Sequence, residues 1–254
     1  MDNKKVIVRT EKLSKSFSVG GKQQHVIKNL DLEIYEGDFT VIMGSSGAGK
    51  STLLYMLSGM DKPSIGSVVY CGEDITGMND DRLAVFRRKH CGFVFQQIRL
   101  VDSMSVMDNV ISTGMLVGQK QKELKKKAMG LFEKMGISEE LTKKFPAQIS
   151  GGEAQRAAVV RAVINDPDIV FADEPTGALN SAGVKSVLDV LTDINNAGQS
   201  VVMVTHDIKS ARRANRIIYL QDGGIVGECR MSRYVSGDEE RHEKIRKFLE
   251  GMGW

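Results

Sequence analysis

Cysteine is scarce, with three among 254 residues. Cys71, Cys91 and Cys229 lie far apart and none stands at a metal-ligand spacing, so a reduced, cytosolic compartment fits best. Long apolar runs are missing as well. No stretch approaches the roughly 20 residues that a helix needs to cross a bilayer, so work at a membrane would require another chain to span it. The opening Met1-Asp2-Asn3-Lys4-Lys5 leads into strand-like Val6-Ile7-Val8 and not into an apolar signal core. Charge of one sign is also lacking. A net charge of +3 is too small to argue for a nucleic-acid partner from bulk charge. With 41% hydrophobic residues, the chain can bury one large core, or a core carrying an inserted lobe.

The most informative stretch is Gly44-Ser45-Ser46-Gly47-Ala48-Gly49-Lys50-Ser51, followed by Thr52. It fits G-x-x-x-x-G-K-[ST], and its surroundings fit too. Phe39-Thr40-Val41-Ile42-Met43 before it reads as a buried strand, and Ser51 to Leu57 after it has leucines at helical spacing. Strand, glycine loop and helix together make a phosphate site: the glycines let backbone N–H groups turn inward, and the helix start adds donors and a favourable dipole. Lys50 would reach the β- and γ-phosphates of a nucleotide, and the Ser51 hydroxyl would ligate Mg²⁺, a cation that takes oxygen ligands.

Elsewhere the pattern alternates. Val6-Ile7-Val8 and His25-Val26-Ile27 begin short strand-like segments separated by a Gly20-Gly21 turn, and Ser67 to Tyr70 is another strand. Phe17 lies in the connecting stretch; such a ring is either core or a platform for a base. Asn79 to His90 is helical, and Gly92 to Phe95 is a short strand. From Met104 to Phe145 strands disappear and lysines accumulate. Leu124, Ala128, Leu131, Phe132 and Met135 mark one helical face, with Lys125, Lys126, Lys127 and Lys134 on the other. The lysines form a solvated face or attract anionic lipid headgroups. The α/β pattern then returns. Ile169 to Ala172 is a buried strand ending at Asp173-Glu174. Ser181 to Ala197 is a helix with Val184, Val187, Leu188, Leu191 and Ile194 as its stripe, and Val201 to Val204 is a strand ending at Thr205-His206-Asp207. A largely parallel, doubly covered sheet follows. Ligands sit beyond the carboxyl ends of such strands, so the glycine loop, Asp173-Glu174 and His206 should converge. Ser236-Gly237-Asp238-Glu239 has capping-box spacing, and the helix it starts carries Ile245, Phe248, Leu249 and Met252 on one face, for its own domain or for a dimer contact.

Asp173-Glu174 after an apolar strand resembles the second nucleotide motif of P-loop ATPases, which implies that Asp173 can hold Mg²⁺ through water and Glu174 can polarise an attacking water. Ser150-Gly151-Gly152-Glu153 opens a second anion-ready helix start, with Ser150 as its cap and two glycines permitting close backbone approach.

Ile149-Ser150-Gly151-Gly152-Glu153 resembles the signature motif of ATP-binding cassette (ABC) ATPases, and the remaining cassette elements stand in the expected order. Gln96 matches the Q-loop glutamine, Ala178-Leu179-Asn180 the D-loop, His206 the switch histidine, and Phe17 the aromatic that stacks on adenine. The resemblance covers roughly residues 5 to 229. Phe145-Pro146-Ala147-Gln148 and Pro175 to Leu179 look most like the branch of macrolide exporters, lipoprotein-release machines, cell-division cassettes and antimicrobial-peptide resistance pumps.

The resemblance implies one P-loop ATPase domain over 1–254. Its α/β core would lie at about 1–95 and 166–230, with an N-terminal antiparallel part. A helical subdomain is expected at about 96–165 and a C-terminal helix at about 237–252. It also implies a head-to-tail homodimer sandwiching two ATP, in which Ser150-Gly151-Gly152 of one copy closes on the γ-phosphate held by the other copy's Lys50. Ser51, Gln96 and Asp173 would hold Mg²⁺, Glu174 would be the general base, and His206 would hold the γ-phosphate. Loops near Gln96 to Ser103 would pass the motion to a separate permease at the cytoplasmic face of the membrane, with no nucleic acid involved. The chain stops at Trp254, which leaves no room for a fused membrane domain. A signalling module on a membrane complex, moving no substrate, is the competing reading. Two departures stand out. Glu153 replaces the usual glutamine and adds charge near a phosphate, and Asn180 replaces the usual aspartate and keeps hydrogen bonding without the charge.

Overall fold

The computed structural model describes residues 4–238 and 240–254. Strands β1 (Val6–Val19), β2 (Lys22–Tyr35) and β3 (Phe39–Met43) precede helix α1 (Lys50–Leu57). Then come β4 (Ile65–Tyr70), β5 (Glu73–Asp74), α2 (Asp80–His90) and β6 (Cys91–Phe95). A helical run follows: α3 (Val106–Met115), α4 (Gln121–Lys134), α5 (Glu139–Thr142) and α6 (Gly151–Val163). The chain closes with β7 (Ile169–Asp173), α7 (Ser181–Asn196), β8 (Ser200–Val204), α8 (Ile208–Ala211), β9 (Arg216–Gln221), β10 (Gly224–Arg230) and α9 (Glu240–Gly251). Two compact units divide it: residues up to Leu83 with Gly198 to Trp254, and Ala84 to Ala197.

In the first unit, β3 lies between β8 and β9, parallel to both. Every residue of β3 and β8 is buried, as continuous apolar runs require in strands covered on both faces. Because Ile42 pairs with Val204 in parallel register, Gly44 and Thr205-His206 leave the same edge of the sheet. The Thr205 N–H donates to the Ile42 carbonyl there, at 3.3 Å. β10 adds an antiparallel edge to β9.

A separate antiparallel sheet runs β2-β1-β4-β5. Its first two strands form one hairpin closed at Val19 and Lys22 around Gly20-Gly21, each strand 14 residues long and not short. Bulges between Thr10 and Leu13 and between Leu13 and Lys15 break the alternation that would have revealed that length.

Helix α9 belongs to the first unit. It buries Ile245 and Leu249, and a Cβ placed on Gly227 of β10 would fall 2.6 Å from Met252 Sδ. The buried Arg241 guanidinium donates to the carbonyls of Arg212, Ala214 and Ser232. The capping box expected from Ser236 to Glu239 involves Glu239, which lies outside the described residues; the Asp238 carboxylate accepts the Arg241 N–H at 3.0 Å.

In the second unit, β6 and β7 pair in parallel, with Phe95 opposite Asp173. Helix α4 buries Leu124, Ala128 and Phe132, with Met135 following, whereas Leu131 is half-buried. Lys125, Lys126 and Lys134 are exposed, and Lys127 reaches Asp166 at 2.5 Å. Helix α7 buries Val187, Leu188 and Leu191, with Val184 and Ile194 at the margins. Among the described residues no helix is long and apolar enough to cross a membrane.

Candidate functional site

The glycine loop is fixed by what lies beneath it. A Cβ on Gly44 would run into the Leu220 carbonyl of β9. One on Gly49, whose φ is 97°, would come within 2.8 Å of Ile27 Cδ1. Both positions therefore admit only glycine without displacing β2 or β9. Ala48 is buried and its N–H donates to the Ser45 carbonyl at 3.2 Å, while Ser45, Ser46 and Gly47 are exposed at the mouth. The N–H groups of Ser46, Gly47 and Gly49 donate to no acceptor among the described residues. Lys50 arches over the loop, its Nζ donating to the carbonyls of Gly44 at 2.9 Å and Ser45 at 2.8 Å. No acidic residue stands in the first turn of α1. Undirected N–H donors, an ammonium group and a helix start without carboxylates fit a polyphosphate. Ser51 and Thr52 lie in the first turn of α1 and are half-buried.

His206 is exposed at the same sheet edge. Phe17, on β1, is 41% exposed, so its ring is not core. Lys15 Nζ sits 5.0 Å from the ring centroid.

The second unit places Gln96 and Asp173-Glu174 on neighbouring strand ends. Gln96 is exposed and lies over Gly177, where an added Cβ would meet its Nε2 at 2.8 Å. Glu174 has a φ of 46°, a left-handed conformation that non-glycine residues adopt rarely. Asp173 and Glu174 are half-buried.

Ser150 caps α6 by a reciprocal box. Its Oγ accepts the Glu153 N–H at 3.3 Å, and its own N–H and hydroxyl donate to Glu153 Oε2 at 2.8 and 2.7 Å. Those two donors from Ser150 hold the Glu153 carboxyl below the ordinary glutamate range. The charge that Glu153 adds is therefore folded back onto Ser150. The glycine pair has a reason beyond phosphate approach. A Cβ on Gly152 would lie 3.2 Å from the Cα of Gly183, and one on Gly151 would lie 3.3 Å from Leu179 Cδ2. The start of α6 thus packs closely on the start of α7.

Asn180 caps α7, its Oδ1 accepting the Gly183 N–H at 2.9 Å. Aspartate caps as well as asparagine, so Asn180→Asp changes charge while keeping the cap. We expect an unchanged unfolding midpoint and a faster steady-state ATPase rate. An unchanged rate would show that the missing charge does not limit turnover.

Two residues escaped the sequence reading. Arg161 on α6 donates to the carbonyls of Arg99 at 2.5 Å and Ile98 at 3.2 Å, holding the chain just past Gln96. Gln155, also on α6, is fully buried and bonds to the chain on either side of the hydrolytic candidates. A glutamine among Ala154, Ala157 and Ala158 was the available signal, since a buried amide requires partners.

Fold and site together define a P-loop nucleotide-binding cassette carrying a second, capped glycine-rich helix start. The family model described as ABC transporter matches residues 27–177. A lipoprotein-releasing system ATP-binding protein, LolD, of Aquifex aeolicus is 39% identical over 222 residues, covering 87% of this chain and 97% of that one. A macrolide export ATP-binding/permease protein, MacB, of Yersinia pestis is 39% identical over 224 residues, covering 88% of this chain. This chain spans only 33% of that relative's length. Among solved structures, the dimeric post-hydrolysis state of the ATP-binding cassette MJ0796, bound to ADP and Pi, is 36% identical with a TM-score of 0.82. That match covers 90% of this chain and all of the other. The chain belongs to the ABC transporter family.

Proposed function

We propose that this chain is the ATP-hydrolysing subunit of an ABC transporter. It closes head to tail with a second copy around two ATP molecules and passes that motion to a separate membrane-spanning permease, from the cytoplasmic face. The observation that carries this reading is the coexistence of two anion-ready helix starts: the Lys50 loop, with its undirected N–H donors, and the capped Ser150 start. One nucleotide needs only one such loop, so the second serves a neighbour. The dimeric cassette bound to ADP and Pi supports a paired, ATP-hydrolysing state. The relatives are named for macrolide export and for lipoprotein release, which supports export or membrane extraction of a drug or lipoprotein as the work of this subunit.

In this reading the Ser46, Gly47 and Gly49 N–H groups and Lys50 bind the phosphates, and Phe17 stacks on the base. Glu174 takes a proton from the attacking water, and His206 holds a γ-phosphate oxygen. A partner's γ-phosphate reaching Ser150 competes with Glu153 for the same N–H and hydroxyl, so closure exchanges a carboxylate for a phosphate. Ser51, Asp173 and Gln96 offer the hydroxyl, carboxylate and amide oxygens that suit Mg²⁺, which would neutralise phosphate charge when bound. The test is phosphate release from ATP by the purified chain and its loss in Glu174→Gln. Equal rates in both chains would remove Glu174 as the base, and no release by the parent chain would remove the reading.

A further inference from the structure

Helix α6 carries one fully buried polar side chain in its apolar face, Gln155. Its Nε2 donates to the carbonyl of Phe95 at 2.8 Å and to the carbonyl of Pro175 at 2.7 Å. Both acceptors are carbonyls, so the amide nitrogen must face them and the flip of the group is fixed. Phe95 is the residue before Gln96, and Pro175 is the residue after Glu174. The same NH₂ group therefore bridges the ends of β6 and β7 at the points where the two hydrolytic candidates leave the sheet. Gln155 Oε1 has no partner among the described residues. A glutamine retained in an apolar face with one end unsatisfied is costly, and the bridge is what its other end gains.

We propose that Gln155 is a positioning residue for hydrolysis: its amide ties the chain before Gln96 to the chain after Glu174. Because Gln155 rides on the helix that Ser150 caps, the order of the hydrolytic pair follows the placement of that helix. The left-handed backbone of Glu174 has reason to be held from outside, since residues adopt such conformations only where the surroundings enforce them. The proposal rests on the roles given above to Gln96 and Glu174. The two bonds of Gln155 reach only Phe95 and Pro175, so the expected loss is in hydrolysis and not in ATP affinity.

The variant Gln155→Met keeps the length and volume of the side chain and removes both donors. Its kcat should fall roughly ten- to a hundredfold, the scale of a misplacement of about 1 Å. The equilibrium Kd for ATP should stay within about twofold, and amide exchange should rise at 96–103 and 174–177 but not at 44–52. A kcat close to the parent's, or a Kd that worsens in step with kcat, overturns the proposal. A second measurement needs no variant. In the parent chain the Gln155 side-chain NH₂ protons should exchange slowly with solvent, as two internal bonds require, and rapid exchange overturns the proposal equally. If Glu174→Gln itself hydrolyses ATP normally, the underlying reading is at fault. If that variant is inactive while Gln155→Met is fully active, only the present inference is lost.

Discussion

Glu174→Gln should slow phosphate release by about 10²–10⁴-fold, the usual worth of a general base, while ATP still binds. The two side chains match in shape, so the capped helices and the β6–β7 pairing are untouched. What disappears is the capacity to take a proton from water. In the proposed site binding persists because its donors are others: the loop N–H groups and Lys50. With hydrolysis blocked and binding intact, the ATP-bound state accumulates. The variant should then elute as a two-chain species with ATP and as a single chain without it, as read by light scattering. Unchanged release at saturating ATP would take the catalytic role away from Glu174. A single-chain mass with ATP bound would count against the sandwich while leaving the base assignment standing.

Lys50→Ala should weaken ATP binding by roughly a hundredfold or more. The Nζ group holds two loop carbonyls, at 2.9 and 2.8 Å, and would present its charge to the phosphates. Hydrogen bonds to charged groups contribute about 1.5–3 kcal/mol each, so losing a pair of ammonium–phosphate bonds costs about 3 kcal/mol or more, which is a hundredfold in Kd. Lys50 is only half-buried, so the unfolding midpoint should move little. Equilibrium titration with a fluorescent ATP analogue reads the effect directly. A Kd within threefold of the parent's would mean that Lys50 does not face the phosphates.

Much of this was legible in the residues, for reasons that differ from element to element. β3, β7 and β8 are continuous apolar runs, and sheet strands covered on both faces leave that trace. The α4 stripe follows the helical period because one face is buried and the other solvated. The β1–β2 hairpin hid its length behind bulges, at which Lys12 and Asn29 take positive φ. At the start of α9 the Asp238 carboxylate accepts the Arg241 N–H, a bond that spacing alone did not single out. At the site, letters revealed candidates but not their attachments. The glycine pair read as a phosphate cradle is also a close helix contact at Gly183. Glu153 read as a charge near phosphate is folded onto Ser150. The strained Glu174 and the bridge from Gln155 depend on tertiary placement, which no local pattern encodes.

The sharing of each ATP between two copies is tested most directly by mixing two inactive chains. Lys50→Ala lacks a working loop but keeps its Ser150 start, and a variant with a bulky residue at Ser150 has the converse defect. Each alone should be silent. Combined, they can assemble one intact composite site per pair, and the mixture should release phosphate. Persistent silence of the mixture, with both chains folded and paired, would contradict the account.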